Sequence, residues 1–193
     1  MFRPSITQNH SLSFIGGGKN NSLYASLGFY NDPGWTLADK VSQLSSNIKN
    51  TFFLSDKFNV TLSTQASIRD QDAPGSYESN ADVVNGGTTR DFDINPFNYA
   101  LTTNRTLRPY DDNGNLEYYR ANWAPINILN ELKNNYMKIK VKDIRFQADL
   151  DYKINPNLTY TFTANTRYAS TTREHNIREK SNAVGAYNAN EPT

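Results

Sequence analysis

Residues 58–69 read FNVTLSTQASIR, and apolar and polar side chains alternate along almost the whole stretch. Successive side chains of a β-strand point to opposite faces, so this period of two predicts a strand with one apolar and one polar face. Soluble strands average about 5–6 residues, and this one is about twice as long. The stretch therefore indicates a long strand whose two faces meet different surroundings. Its apolar residues are Phe58, Val60, Leu62, Ala66 and Ile68.

The same alternation recurs in five other segments. It is clearest in 144–154 and 158–168, where Ile, Phe, Leu, Tyr and Ala alternate with Thr, Asn, Gln, Asp, Lys and Arg. Less complete versions occupy 10–15, 22–30 and 42–54. The sequence thus predicts six strands, over about 10–70 and 140–170.

The connections between these strands alternate in length. The segments 16–21, 54–57 and 154–157 are tight turns rich in Gly, Asn, Asp or Pro. Between them lie a medium loop at 31–40, a long loop at 71–139 and a tail from near 171. Tight turns at one rim and long loops at the other are typical of antiparallel up-and-down barrels in the outer membrane. The fold class expected is therefore all-β, as part of such a barrel.

A soluble antiparallel sandwich is the alternative, because its strands also alternate between core and solvent. Two features favour the barrel. The strands are long, and aromatic residues lie near several strand ends, as an interfacial girdle requires. These aromatic residues are Tyr30, Phe52, Phe53, Phe58, Tyr152 and Tyr168.

Composition excludes several classes of function. The net charge is +1 and no run is rich in Lys or Arg, so no nucleic-acid partner is predicted. The absence of Cys excludes disulfides, thiolate zinc sites and cysteine nucleophiles. Mean hydropathy is −0.72 and no apolar run is long enough for a transmembrane helix. The residues 1–10 lack the apolar segment of a signal peptide.

The long loop carries its own structural signals. Asn95 followed by Pro96 predicts a helix start over 95–105, and the apolar spacing in 124–135 predicts a second helix led by Pro125. Between them, Asn113-Gly114 predicts a hairpin turn that brings Tyr110 near Tyr118. An ordered loop of this size is usually functional.

No catalytic constellation is evident. His10 and His175 have no partner motif, and both are expected to be polar surface or hydrogen-bonding residues, so no enzyme activity and no cofactor are predicted. The stretch 111–117, DDNGNLE, is rich in oxygen ligands but lacks the spacing of a calcium loop. A plain Asn-Gly turn explains it better, and no metal site is predicted.

Four segments carry a resemblance to a known family. The chain resembles the barrel domain of SusC/RagA-type TonB-dependent outer-membrane transporters, which have a plug and 22 strands in the family at large. The resemblance implies that residues 1–193 are part of such a barrel, with 71–139 as an extracellular loop and no plug domain. The segments are HSLSFIGGGKNNSLYASLGFYNDPGW (10–35), RDFDINPFNYALTTNRTLRPYD (90–111), YYRANWAPINILNELKNNYM (118–137) and VKDIRFQADLDYKINPNLTYTFTANTRYASTTREHNI (141–177).

The resemblance also implies a function. Such proteins import oligosaccharides or oligopeptides across the outer membrane of Gram-negative bacteria, driven by the TonB complex and capped by a SusD-like lipoprotein. On this basis outer-membrane lipid is a further partner. A soluble all-β carbohydrate-binding module is the alternative function, and an enzyme carried on a barrel lacks the required triad. We also expect these 193 residues alone neither to transport nor to form a stable soluble domain.

The candidate substrate contacts lie in the loop. Residues 71–139 hold nine aromatic, nine acidic and six basic residues. Flat aromatic rings and hydrogen-bonding polar groups suit sugars or peptides, although packing within the loop is the favoured role for most of the aromatics taken singly, Tyr99 and Trp123 among them. Tyr110, Tyr118 and Tyr119 are expected to be the more exposed. The predicted substrate-binding residues are Arg108, Tyr110, Asp111, Asp112, Tyr118, Tyr119, Arg120 and Trp123.

Overall fold

The computed structural model describes residues 2–75, 77–81, 88–92, 94–121 and 124–185. Six long strands form one antiparallel sheet in the order β1-β2-β3-β4-β9-β10, and short elements lie between β4 and β9. The elements are β1 (Gln8–Gly17), β2 (Asn21–Asp32), β3 (Lys40–Ser55), β4 (Phe58–Pro74), β5 (Tyr77–Ala81), β6 (Thr88–Phe92), α1 (Pro96–Thr102), β7 (Tyr119–Ala121), β8 (Ala124–Ile126), α2 (Ile128–Asn134), β9 (Asn135–Asn155) and β10 (Leu158–Ile177).

The six predicted strands are confirmed, as are their antiparallel, up-and-down order and the three tight turns. The strands extend beyond the ends that the sequence predicted. β10 continues to Ile177, so the prediction of a tail from near 171 is wrong. β4 and β9 also extend into the predicted long loop, because pairs such as Asp72 with Lys138 continue the ladder after the apolar alternation stops. The connection between them is therefore 75–134.

Cross-strand register places most of the large apolar residues of the six strands on one face. Directly paired residues share a face, so each row of partners can be followed across the sheet. One row joins Leu12, Leu27, Ser46, Ala66, Ile144 and Tyr168. We call six successive rows the apolar band, from the row of Phe58, Tyr152 and Tyr160 to the row of Phe29, Leu44, Ile68 and Lys142.

The opposite face of the sheet is mainly polar, and many of its side chains form hydrogen bonds with one another. The Thr51 and Thr61 hydroxyls lie 2.9 Å apart across β3 and β4. On β10, Thr163 Oγ1 donates to Asp149 at 2.8 Å, and Arg167 Nε donates to Asp143 at 2.7 Å. These bonds satisfy polar groups that the strand pattern places together.

Aromatic residues mark the ends of the apolar band only in part. Phe58 and Tyr152 are paired in register, with ring centroids 6.3 Å apart in an edge-to-face arrangement. Tyr168 and Phe52 are also on the apolar face. Tyr30 instead lies on the polar face, where its hydroxyl donates to Asp32 at 3.3 Å. The predicted girdle is therefore less regular than its spacing along the chain indicated.

Large apolar side chains of the band are exposed. Leu12 is 72% exposed, and Phe146, near the centre of the band, is 52% exposed. The buried apolar residues of the described chain lie instead around the connection between β4 and β9 and at its flanks. They are Ile94, Ala124, Ile126, Ile128, Leu132, Met137 and Ala183.

The two predicted helices are present in the connection. Asn95 Oδ1 accepts from Phe97 N at 2.9 Å, which caps α1, and Pro96 is its first residue as predicted. For α2 the predicted start at Pro125 is wrong. Pro125 lies in β8, and the N-cap is Asn127, whose Oδ1 accepts from Leu129 N at 2.9 Å. Among the described residues, no helix has the length and apolar character needed to cross a membrane.

Candidate binding surface on the loop

The predicted hairpin at Asn113-Gly114 is present. Gly114 N donates to Asp111 O at 3.1 Å, and Asp111 N donates to Asn115 O at 2.8 Å. Gly114 has a φ of 82°, a conformation in which a side chain is strained. A turn followed by a residue in this left-handed region is a common hairpin connection.

Asp111 holds this turn together. Its Oδ1 accepts from Asn113 N at 2.9 Å and from Asn115 N at 2.8 Å. The backbone hydrogen bond from Asn115 is the main reason why the pKa of Asp111 lies below its ordinary value. Its carboxylate is thus committed to backbone amides, as a turn requires, and Asp111 is a structural residue of the surface.

Arg108 lies at the base of the hairpin between two carboxylates. Its Nη1 contacts Asp112 at 2.6 Å and its Nε contacts Glu117 at 3.2 Å. The hydrogen bond to Asp112, followed by the charge of Glu117, raises the pKa of Arg108. The three side chains form one exposed charged group, in which Glu117 was not predicted as a site residue.

The tyrosines of the candidate surface differ in exposure. Tyr110 and Tyr118 are 50% and 47% exposed. Tyr110 pairs with Leu116 rather than with Tyr118, which lies farther along the same arm of the hairpin. Tyr119 is less exposed than predicted, because its hydroxyl donates to the Tyr99 hydroxyl at 3.5 Å and its ring is half-buried. That burial raises the pKa of Tyr119.

Of the two remaining predicted contact residues, the structure describes only one. Arg120 is exposed on β7, where its backbone pairs with Pro125. Trp123 lies outside the residues that the structure describes. The hairpin thus brings together Arg108, Tyr110, Asp111 and Asp112 on one arm and turn, with Tyr118 on the other arm.

Asn127 fixes the hairpin to the loop, and the sequence predictions missed it. It is 1% exposed, and its Nδ2 donates to Pro109 O and to Glu117 O, both at 2.8 Å. Its Oδ1 meanwhile caps α2. One side chain therefore joins both arms of the hairpin to the helix. An Asn directly before an apolar helical run is an N-cap signal that could have revealed the cap, though not the contacts with the hairpin.

A second aromatic group lies apart in sequence from the hairpin. The Phe2 and Trp35 rings stack at 5.3 Å, and the Trp35 and Phe97 rings meet edge to face at 5.5 Å. Trp35 is 57% exposed. Because the three residues come from distant segments, no local pattern predicts this group. It adds exposed ring surface near α1.

The segment after β10 packs onto α2 through buried polar contacts. Glu131, 1% exposed, accepts from Ser181 Oγ and from Asn182 N, both at 2.8 Å. Nearby, His175 Nε2 lies 2.6 Å from Asn135 Oδ1, and burial lowers the pKa of His175. His175 is therefore a hydrogen-bonding residue, as expected. These contacts join the C-terminal end of the connection to β10 and to the segment that follows it.

The candidate surface offers two kinds of contact to a ligand. Exposed rings can stack on the C–H faces of a sugar or on apolar side chains of a peptide, and the charged group at Arg108 can bind hydroxyl, carboxylate or amide groups. Rigid turn and cap contacts hold both kinds of group in place, which reduces the entropy lost on binding. Comparison of the chain with protein-family models and with curated proteins gives no match.

Proposed function

We propose that this chain is a segment of a SusC/RagA-type, TonB-dependent outer-membrane transporter that imports oligosaccharides or oligopeptides. The observation that carries the proposal is the apolar band. It runs in register across six long strands, on one face, with its large side chains exposed. Exposed apolar area of this extent is unusual for a protein in water and suits contact with lipid.

The height of the band supports a membrane location. Phe58 and Ile68 mark its two edges on β4, ten residues apart. Ten steps of about 3.3 Å give ~33 Å along the strand. With a tilt of about 45° this strand spans ~23 Å of bilayer, close to the roughly 25 Å apolar belt of outer-membrane barrels. A soluble carbohydrate-binding module has no need for a band of this height.

The opposite face supports a water-filled interior. Its Thr, Asn, Gln, Asp and Arg side chains form hydrogen bonds and an ion pair among themselves, as between Thr161 and Asp151 at 2.8 Å. Barrel strands alternate lipid-facing apolar residues with polar residues that face the lumen. The sheet has both faces in the arrangement that a channel wall requires.

The two ends of the sheet differ as the two rims of an outer-membrane barrel do. The three tight turns lie at one end, and the connections 33–39 and 75–134 lie at the other. We place the long connection outside the cell, where its exposed tyrosines and the charged group at Arg108 meet substrate and where a SusD-like lipoprotein covers the opening. The TonB complex acts through the complete transporter.

Surface labelling tests this topology. An epitope inserted at Asn113-Gly114 of the full-length protein should be labelled on intact cells, whereas one at Asn155-Pro156 should be labelled only after the outer membrane is opened. Both insertions are in turns, so both should leave the fold intact. Labelling of the second site alone on intact cells would invert the topology, and equal labelling of both in a soluble extract would favour the soluble module.

A further inference from the structure

Three lysines alternate along β9 at one end of the apolar band. Lys138, Lys140 and Lys142 are two residues apart and therefore point to the same face of the sheet. Register shows that this is the apolar face, because Lys142 pairs with Ile68 in the last row of the band. All three are exposed. A groove of about 410 Å³ runs beside them, lined also by Asp70, Asp72 and Glu174.

The balance of charge changes from row to row. The row of Lys142 contains Ile68 and Ser170 and no carboxylate. The next row pairs Lys140 with Asp70 and Thr172. The row beyond joins Lys40, Asp72, Lys138 and Glu174, with two charges of each sign. Acidic residues thus increase away from the band, and the row next to the apolar residues carries only positive charge.

The three lysines also differ in their contacts. Lys140 Nζ lies 3.4 Å from Asp70, and Lys138 Nζ lies 5.8 Å from the centre of the Tyr136 ring. Across the residues that the structure describes, no carboxylate lies within ion-pair distance of Lys142. Lys142 is therefore an exposed cation at the edge of an apolar surface, with the Ser170 hydroxyl beside it in register.

We propose that Lys142, with Lys140 and Ser170, binds the phosphate of an anionic lipid headgroup. The inference rests on the membrane location proposed above. A lysine at the edge of a lipid-facing surface extends its charge to the headgroup level while its stem stays on apolar neighbours. A basic group near an anionic membrane surface attracts phosphate, and a hydroxyl adds a hydrogen-bond donor. Lys142 has both features and lacks the carboxylate that would compete with phosphate.

A single-site measurement tests the proposal. Residues 1–193 contain no Cys, so Tyr168→Cys, made in full-length protein whose cysteines elsewhere have been replaced, introduces one labelling position on the lipid face, one row below Lys142. Leu27→Cys is the control, because Leu27 lies on the same apolar face and in the same row as Tyr168 but four strands away, and the two lipids are compared at each position separately. Each variant is labelled with a fluorophore and refolded in phosphatidylcholine vesicles that contain phosphatidylglycerol. In one sample the phosphatidylglycerol carries a spin label near its headgroup, and in the other the phosphatidylcholine does. The fluorescence quenching in the two samples is then compared.

We expect phosphatidylglycerol to quench more strongly than phosphatidylcholine at position 168 and equally at position 27. Lys142→Gln should reduce the ratio of phosphatidylglycerol quenching to phosphatidylcholine quenching at position 168 about fivefold. This is the effect typical of one lysine near a charged membrane surface. Lys49→Gln, on the polar face, should leave it unchanged. Equal quenching by the two lipids at both positions would overturn the headgroup site while leaving the membrane face in place. No quenching by either lipid would instead overturn the proposed function.

Added inorganic phosphate tests whether the site binds the phosphate of a lipid headgroup or free phosphate from solution. When added at the same ionic strength as a chloride control, it should lower the preference at position 168 no more than chloride does. A larger loss with inorganic phosphate would overturn the lipid assignment, because the site would then bind the free anion.

Discussion

The sheet and the connection between β4 and β9 place their apolar side chains differently. Both contain many apolar residues. In the connection these residues bury one another, as Ile94, Ile128 and Leu132 do against Leu37 and Tyr99. In the sheet they stand on one open face, and Ile48 is 47% exposed where Ile128 is 1% exposed.

This difference shows where each region obtains its stability. The connection has a buried core and polar anchors such as Asn127 and Glu131, so its order depends on side chains that protein atoms bury. The sheet has a continuous hydrogen-bonded ladder but requires another apolar phase to cover its band. A change of solvent should therefore affect the sheet strongly and the connection weakly.

The largest effect should come from one substitution made in both regions. Ile128→Ala removes a fully buried side chain and should lower the opening free energy of the connection by ~2–5 kcal/mol. Ile48→Ala removes the same atoms from the band and should leave the connection unchanged, because Ile48 lies outside its core. Amide hydrogen exchange of residues 124–135 in the two variants measures the contrast. Equal protection in both would show that the buried cluster does not stabilise the connection.

A second, slightly smaller effect should separate the two faces of the sheet. Phe146→Arg places a charge near the middle of the apolar band and should cost ~2–4 kcal/mol of folding into a bilayer. Gln147→Arg, one residue away on the polar face, should be tolerated, because the new guanidinium can still donate to Asp149. Denaturant titrations in lipid vesicles give both values. The reverse ranking would mean that the polar face meets lipid.

The smallest effect should come from the hairpin of the connection. Gly114→Ala forces a side chain into a positive φ. Apart from the two adjacent residues, no described residue has a heavy atom within 4 Å of the added Cβ, so backbone strain alone should cost ~1 kcal/mol. Gly114→Asn should cost less, because Asn tolerates this conformation. The same exchange experiment, read at residues 111–117, measures the difference. A loss for Gly114→Asn as large as for Gly114→Ala would indicate a cause other than the backbone angle.

Much of the sheet could be predicted because its signals are local. Alternation in 58–69, 144–154 and 158–168 predicts each strand from its own residues, and tight turns predict which strands are neighbours. The strand ends were missed because pairs such as Asp72 with Lys138 extend the ladder without any apolar signal. Strand length beyond the band depends on the partner strand and cannot be read from one segment.

The candidate surface was less predictable. The turn at Gly114 and the cap at Asn95 follow from residue chemistry at adjacent positions. In contrast, the half-burial of Tyr119 depends on Tyr99, twenty residues earlier. The charged group at Arg108 requires Glu117 from the other arm of the hairpin, and only the fold brings the two together.

The sequence by itself determined the alternation of faces, the antiparallel order, the presence of two helices in the connection and the cap of α1, because each follows from neighbouring residues and short turns. Tertiary structure alone decided the register that aligns six apolar rows, the lysines at the edge of the band and the aromatic group of Phe2, Trp35 and Phe97. The physical reason is range. Alternation and capping act over a few residues, whereas a surface is formed by side chains that the chain separates and pairing of distant strands brings together.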